Sequence, residues 1–422
     1  MTALVVGAAR SGVALANHLT GRGERVRLTD RRPESELAET IAQLPRGVEL
    51  RVGGYDDSVL EGIEAVYASP GVPWDSDLLR RARERGIPVS SEIDLFLRLC
   101  PGTVVGITGT NGKTTTTALV HHILQTAGVP SAMGGNIGLP ILAQDPLPEG
   151  GVYVLELSSY QLDLTQSLDC DVAVLLNITP DHLDRHGTFE RYVDLKARAI
   201  EFAGSDDFAV LNGRDDVTRR LAGRTKAHVV WFDQHRPLPP MPLPGRHNME
   251  NALAAAAVGR IAGLSDDAID AAIRSFKGVE HRLELVGEWN GVRWYNDSKA
   301  TNPDAGRVAL AAFPNTPVVL IAGGYGSGFE LGDWLADVLA NAEAVVLIGA
   351  SAGTLAEALH NHRKVVRAAN LDEAVETAGR LARPGGVVLL SPAYKSFDMF
   401  KDFEDRGRRF KSAVHAKFGA PP

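Results

Sequence analysis

The chain has 422 residues, 44% of them hydrophobic and 23% charged, a balance that supplies several buried cores and excludes a largely disordered or low-complexity protein. A net charge of −8 gives no overall basic field to draw it onto nucleic acid, so an anionic substrate has to be held locally, by Lys, Arg, helix N-termini or metal. No uncharged run approaches the roughly 18 residues of a membrane helix, which argues against membrane insertion. The apolar start is broken by Gly7, Arg10 and Gly12, which argues against a signal peptide. The only cysteines, Cys100 and Cys170, make neither a disulfide framework nor a metal motif and are expected as buried small hydrophobes in a reducing cytoplasm.

Short β-branched runs alternate with longer Ala/Leu/Arg-rich stretches along the whole chain, the pattern of strand–helix units around parallel sheets. Three blocks result. In residues 1–99, Ala3–Val6 reads as a strand, Gly7–Gly12 as a turn and Val13–Thr20 as a helix. Val26–Thr29 is a second strand ending at Asp30, and Ala65–Ala68 a third ending at Ser69-Pro70-Gly71. In residues 100–278, the strand Val104–Ile107 runs into the glycine loop Thr108–Gly112, and a helix follows from Lys113. Val152–Leu155 and Val172–Leu176 are further strands, Pro237–Pro244 a loop, and the Ala-rich stretch from Asn251 a helix. In residues 279–422 the strands are Val318–Ala322, Ala344–Ile348 and Val387–Leu390. No repeat of 20–50 residues stands out.

The sharpest chemical signal is Thr108-Gly109-Thr110-Asn111-Gly112-Lys113-Thr114-Thr115. Between a strand and a helix, such a loop turns backbone N–H groups and a helix N-terminus toward phosphate oxygens. Lys113 would neutralise the β- and γ-phosphates, and the Thr114 or Thr115 hydroxyl would reach Mg²⁺. The spacing departs from GxxxxGK[ST], because Ile107 occupies the first glycine position. Glu156 ends an apolar strand, where α/β sheets present ligand-binding groups, and His182 lies past another strand end. From spacing alone both read equally as structural residues or as metal ligands. Phe189, Val193, Lys196, Ile200 and Ala203 form one helical stripe and put Lys196 on an apolar face, where a snorkelling lysine is the simple explanation. Gly7-Ala8-Ala9-Arg10-Ser11-Gly12, with Asp30 at the next strand end, is a dinucleotide-type turn that a nicotinamide-dependent dehydrogenase would share. Arg10, Arg31 and Arg32 read either as phosphate partners or as solvated surface charges.

Taken together, several segments resemble the Mur ligase family. They are TGTNGKT, Gly134-Gly135-Asn136-Ile137-Gly138, Glu156-Leu157-Ser158-Ser159-Tyr160-Gln161-Leu162, Asn177-Ile178-Thr179-Pro180-Asp181-His182-Leu183-Asp184, Gly245-Arg246-His247-Asn248, His281-Arg282, Asn296-Asp297-Ser298-Lys299-Ala300-Thr301-Asn302 and Ser391-Pro392-Ala393. The resemblance covers the whole chain and is similar within the family to the D-glutamate-adding branch. It implies an α/β protein of three domains: an N-terminal Rossmann-like domain (1–99) that binds UDP, a central P-loop ATPase-like parallel sheet (100–278), and a C-terminal Rossmann-like domain (279–422) that binds the amino acid and clamps ATP. The implied reaction is ATP-dependent amide formation between UDP-N-acetylmuramoyl-L-alanine and D-glutamate through an acyl phosphate, in cytoplasmic peptidoglycan precursor synthesis by a monomer. The cofactors implied are ATP and two Mg²⁺ ions, with Mn²⁺ as a substitute.

The resemblance also implies roles by position. Lys113, His182 and Lys196 are catalytic. Gly109, Thr110, Asn111, Gly112, Lys113, Thr114, Thr115, Asn248, Asn251, Arg282, Asp297 and Lys299 bind ATP. Arg10, Ser11, Asp30, Arg31, Arg32, Ser69, Gly71, Asn136, Ser158 and His182 bind the UDP-sugar. Thr114, Glu156, His182 and Lys196, the last as a carbamate, hold metal. Without the resemblance, Asn248 reads as a helix cap. Thr301, Ser396 and Phe403 bind the amino acid. The family usually carries a lysine in the loop Gly323-Gly324-Tyr325-Gly326-Ser327-Gly328, at the place aligned with Ser327, to hold a glutamate carboxylate. Lys395, in Ser391-Pro392-Ala393-Tyr394-Lys395-Ser396, is the candidate to replace it, against the plainer reading of a solvated surface lysine. Alternatives are another Mur-type or folylpolyglutamate-type ligase, or a non-catalytic nucleotide-binding regulator. The Asn-Pro-Arg element of the diaminopimelate-adding relative does not occur in the C-terminal block.

Overall fold

Strands that are buried on both faces read as near-continuous Val, Ile, Leu and Ala, because helices cover each side of a parallel sheet. The computed structural model describes residues 1–234, 237–326 and 331–420, and in it such strands form the centres of three sheets, with more exposed strands at the edges. The first contains β1 (Thr2–Val6), β2 (Arg25–Asp30), β3 (Glu49–Val52), β4 (Ala65–Ala68) and β5 (Val89–Ser91), in the order β3-β2-β1-β4-β5 and parallel throughout. The second contains β6 (Thr103–Thr108), β7 (Ser131–Gly135), β8 (Val152–Glu156), β9 (Val172–Leu175), β10 (Phe208–Leu211) and β11 (His228–Trp231), in the order β11-β10-β9-β6-β8-β7, also parallel. The third contains β12 (Glu284–Trp289), β13 (Val292–Asn296), β14 (Val318–Ala322), β15 (Ala342–Leu347), β16 (Val365–Arg367) and β17 (Val387–Leu390), in the order β12-β13-β17-β14-β15-β16. Only β12 runs against its neighbour, as half of a hairpin with β13.

In each sheet the chain reverses its direction of winding beside a central strand. Such a reversal leaves a crevice at the carboxyl ends of the strands, which is where open α/β sheets bind ligands. In the first sheet the crevice lies between β1 and β4, at Gly7 and Ser69. In the second it lies around β6, flanked by β8 and β9, at Gly109, Glu156 and Asn177. In the third it lies between β14 and β17, at Gly323 and Ser391.

The chain packs as two compact units. One is Met1–Pro239 with Glu250–Ile273; the other is Pro240–Met249 with Arg274–Pro422. The first two sheets share the first unit because their apolar clusters interlock. The helix Glu92–Leu99 sends Leu95 into the cluster under the first sheet and Ile93 and Phe96 into that under the second. Leu164, from the helix Ser159–Leu164, is buried in the other cluster of the first sheet.

Several local expectations shift. The first helix spans Arg10–Gly21, so Arg10, Ser11 and Gly12 lie on its first turn and not in a loop. Gly12 permits this close start, since a Cβ there would stand 1.9 Å from the Gly7 carbonyl oxygen. The Ala-rich helix begins at Arg246, five residues ahead of Asn251. The lysine-bearing helix is Phe189–Glu201, so Ala203 lies beyond its end, and its buried face carries Tyr192, Leu195, Ala197 and Ala199 besides Lys196 and Ile200. Cys170 is buried, but Cys100 is only half-buried, with its thiol 3.4 Å from the Gly102 carbonyl; both are free.

Candidate active site

A cavity of about 450 Å³ opens at the β1/β4 crevice. Its floor is the glycine turn. Ala8 donates its N–H to Asp30 Oδ2 at 2.8 Å, and Arg32 donates to the same carboxylate from its N–H, Nε and Nη2 at 2.9–3.1 Å. Burial by itself would raise the Asp30 pKa. The hydrogen bonds from Arg32 and Ala8 and the guanidinium charge outweigh it and bring the pKa down to about 2. Asp30 therefore braces the turn, with both carboxylate oxygens engaged. Ser69 is also committed, donating its hydroxyl to the Gly7 carbonyl at 3.0 Å. The Arg31 guanidinium lies 5.2 Å from the centre of the Tyr55 ring, whereas Arg10 is exposed. Arg10, Ser11, Asp30, Arg31, Arg32, Ser69, Gly71 and Asn136 all line the cavity; Ser158 and His182 lie outside its lining. Ser158 instead caps the helix Ser159–Leu164 in a capping box with Gln161. Tyr55, Pro140 and Gln161 complete the wall and were not legible as ligand groups. Gln161 could have been suspected only from its place in the Glu156–Leu162 motif.

Around β6 the glycine loop opens the helix Lys113–Thr126, with Gly112 at φ 88° as the residue before it. Gly112 cannot carry a side chain, because its Cβ would meet Asn251 Oδ1 at 2.2 Å. Thr110 is half-buried and Asn111 exposed, while Thr114 and Thr115 are buried on the helix's first turn. Lys113 folds back and donates from Nζ to the carbonyls of Gly109 and Thr110, each at 2.8 Å. Lys196, 1% exposed, donates to the same Gly109 carbonyl at 2.8 Å, and its Nζ lies 4.8 Å from the centre of the Tyr192 ring. A snorkelling lysine is thereby ruled out. Burial, and next the charge of Lys113, hold its pKa well below the usual lysine value, a shift in the direction of the neutral amine.

Glu156 ends β8 at 2% exposure. Its Oε1 accepts from Asn136 Nδ2 at 2.8 Å, while Oε2 is buried with no hydrogen-bond partner among the described residues. A carboxylate oxygen left so is costly unless a cation or donor meets it. His182 is exposed, with φ 52° and its Nδ1 3.4 Å from the Tyr160 hydroxyl. A buried carboxylate oxygen and a buried amine within electrostatic reach of it are groups that suit a divalent cation once the amine becomes a carbamate.

Asn248 and Asn251 are both buried on the helix Arg246–Ile261. Asn248 lies inside the helix, two residues past its first residue Arg246, and donates from Nδ2 to the Pro244 carbonyl at 2.6 Å.

In the second unit, Asp297 follows β13 and is buried. It accepts from the Leu283 N–H at 3.1 Å and from the Ser391 hydroxyl at 2.9 Å. Burial raises its pKa to about 7 against the opposing pull of Ser391, Arg282 and Arg406. Arg282 and Lys299 are half-buried, and Lys299 Nζ lies 5.9 Å from the centre of the Phe403 ring. Thr301 and Phe403 are half-buried, Ser396 is buried and Lys395 is exposed. Tyr325 donates its N–H to the Lys395 carbonyl at 2.8 Å, so the two loops at the β14/β17 crevice are joined. Ser327 lies outside the described residues. Sequence reasoning missed Arg406, 0% exposed. It donates to Ser298 Oγ and O at 2.9 and 2.8 Å and to the Tyr394 carbonyl at 3.0 Å, tying together the loops that carry Lys299 and Lys395. Burial lowers its pKa to about 10, which leaves it charged at neutral pH.

Family models match this geometry along the chain: a Mur ligase MurD-like N-terminal domain at residues 1–91, a Mur ligase middle domain at 107–238, and a Mur ligase glutamate ligase domain at 281–394. A UDP-N-acetylmuramoylalanine–D-glutamate ligase of Sphingopyxis alaskensis is 44% identical over 98% of this chain and 96% of its own length. The chain belongs to the Mur ligase family. A relative of the same description from Pelotomaculum thermopropionicum is 41% identical over 97% of this Mur ligase and 96% of its own length. Among solved structures, the UDP-N-acetylmuramate–alanine ligase of Thermotoga maritima superposes with a TM-score of 0.62 at 20% identity, covering 99% of this chain and all of that one. The MurF ligase of the same organism, solved with ADP, gives 0.59 at 19% identity, covering 93% and 96%. At these identities the likeness speaks for the fold, an α/β protein of Mur ligase type.

Proposed function

We propose that this Mur ligase joins D-glutamate to the carboxylate of UDP-N-acetylmuramoyl-L-alanine at the expense of ATP. The observation that carries the reading is the glycine loop with Lys113, set beside two buried groups, the half-paired Glu156 carboxylate and the Lys196 amine. The substrate carboxylate attacks the γ-phosphorus of ATP, and ADP leaves. The glutamate amine then attacks the acyl phosphate, and inorganic phosphate leaves from the tetrahedral intermediate. The first step drives two anions together, so the protein's task is positioning and charge neutralisation.

Lys113, now resting on loop carbonyls, turns to the β- and γ-phosphates, and the N–H groups opening the helix Lys113–Thr126 hold their oxygens. Lys196 reacts as a neutral amine with carbon dioxide, becoming a carbamate and losing a proton. Thr114 at the loop, and Glu156, His182 and carbamylated Lys196 beside it, are the residues that would hold Mg²⁺ or Mn²⁺, which when bound offsets the repulsion between carboxylate and phosphate. Asn248 and Asn251 serve the adenosine portion of ATP, and the second unit's Arg282, Asp297 and Lys299 serve ATP as well. The cavity at Gly7 takes the uridine diphosphate, with Asp30 as brace and Arg10, Arg31 and Arg32 as cations. Thr301, Ser396 and Phe403 receive the amino acid, with Lys395 as the cation for its side-chain carboxylate. The domains carrying these tasks are residues 1–99, 100–278 and 279–422. The setting is the cytoplasm and the enzyme a monomer, without nucleic-acid or membrane partners.

The test is phosphate release from ATP with UDP-N-acetylmuramoyl-L-alanine and a panel of amino acids. Release should require both the UDP-sugar and D-glutamate. Equal release with another amino acid would give the chain to another branch of the family. No release with any would favour a nucleotide-binding regulator.

A further inference from the structure

The phosphate loop is not held by its own residues alone. The parallel ladder of β6 and β9 continues past both strands, with the Leu176 N–H on the Thr108 carbonyl at 3.0 Å and the Thr110 N–H on the Asn177 carbonyl at 2.8 Å. At the next step a side chain takes over from backbone. Asn177 Oδ1 accepts from the Asn111 N–H at 2.9 Å, and Asn177 Nδ2 donates to the Asn111 carbonyl at 3.1 Å. Thr110 and Thr179 are paired as well. The Thr179 N–H donates to Thr110 Oγ1 at 3.0 Å, and that hydroxyl donates to the Thr179 carbonyl at 3.1 Å. With its own hydrogen so used, Thr110 Oγ1 accepts from the Tyr192 hydroxyl, 3.2 Å away. The clasp has a firm base: Leu176 and Ile178 on either side of Asn177 are each 2% exposed, and the Leu176 carbonyl is held by Asn212 Nδ2 at 3.0 Å.

We propose that Asn177 is a positioning residue for nucleotide binding: its amide, paired with both the N–H and the carbonyl of Asn111, holds the phosphate loop in its binding form and joins it to the segment leading to His182. The side-chain amide carries a donor and an acceptor side by side on one planar group, as a peptide unit does, so it pairs with the Asn111 peptide units as a neighbouring strand would. The clasp also divides the loop's labour. The Asn111 N–H is spent on Asn177, one residue ahead of Gly112, whose carbonyl takes the first intrahelical bond from the Thr116 N–H at 2.9 Å. Asn111 thus enters nucleotide binding through its fixed peptide and not through a donated N–H.

The inference rests on the phosphate-loop reading, and the experiment separates the two. ADP affinity by calorimetry, KM for ATP, KM for UDP-N-acetylmuramoyl-L-alanine and melting temperature are measured for the wild type, Lys113→Ala, Asn177→Ala and the isosteric Asn177→Asp. Aspartate keeps the shape and one acceptor but sets a carboxylate oxygen against the Asn111 carbonyl. ADP affinity should fall, and KM for ATP rise, by roughly tenfold in both Asn177 variants, with an unchanged KM for the UDP-sugar. A wild type that does not bind ADP, or a Lys113→Ala variant that binds it equally well, would overturn the phosphate-loop reading and the inference with it. ADP binding in the wild type that Asn177→Asp matches would overturn the inference alone. So would equal losses for both substrates that track a fall in melting temperature, since those belong to a residue that only supports the fold.

Discussion

Asp30→Asn isolates the brace beneath the cavity at Gly7. In the wild type the carboxylate takes N–H groups from Ala8 and Arg32 and the Arg32 guanidinium, and its pKa drops from 3.8 to about 2. That shift is worth about 2 kcal/mol of stability at neutral pH. It is an upper value, since the Arg32 side chain is 46% exposed and salt screens it. A carboxyl with a lowered folded-state pKa stabilises above its unfolded value, and the contribution disappears as pH falls through the folded value. The gap between wild type and variant should therefore be full at pH 7 and close between about pH 4 and about pH 2. Urea unfolding at a series of pH values, followed by hydrogen exchange in the segment around Ala8, reads this directly. Because the brace shapes the cavity and not the phosphate loop, KM for the UDP-sugar should rise while KM for ATP stays. A stability gap that is the same at every pH, or absent at pH 7, would refute the electrostatic account; a KM change confined to ATP would refute the assignment of the cavity.

Lys113→Ala should keep its fold, since the side chain lies on the glycine loop and not in an apolar cluster, and lose phosphate release by roughly a thousandfold; a folded variant with wild-type turnover would remove the phosphate-loop assignment. Lys196→Ala should be inactive and partly rescued by a short carboxylic acid that fills the place of the carbamate, as turnover with and without added acetate will show. Lys395→Ala should raise KM for D-glutamate with little effect on KM for ATP, and Ser327→Lys in that background should restore part of the loss. An unchanged KM for glutamate would leave Lys395 as a solvated surface lysine.

The parts of this protein readable in one dimension are those whose physics is local. A glycine loop between a β-branched run and a helix forms wherever glycines permit positive φ, as Gly112 does, so the strand–glycine loop–helix unit that starts the helix at Lys113 was legible at once. The apolar stripe around Lys196 set the lysine on an apolar helix face, because helical periodicity depends on the chain alone, but its full burial in place of snorkelling was not in the pattern. Short, polar or glycine-rich strands such as β3, β5 and β7 escaped notice, since pairing with neighbours and not their own residues makes them strands. Strand order likewise followed from packing: nothing near Gly109 in sequence says that Glu156 and Asn177 end on either side of it. The electrostatic assignments were the least legible. That Asp30 braces a turn 22 residues away, that one Glu156 oxygen has no hydrogen-bond partner among the described residues and that a buried Arg406 ties the loops of Lys299 and Lys395 depend on which groups meet in low dielectric. The sequence by itself determined the residue types, the loop chemistry and the alternation of strand and helix. Only the tertiary structure decided which of those groups share a crevice and in what charge state, because desolvation and hydrogen bonding act through space between segments far apart along the chain.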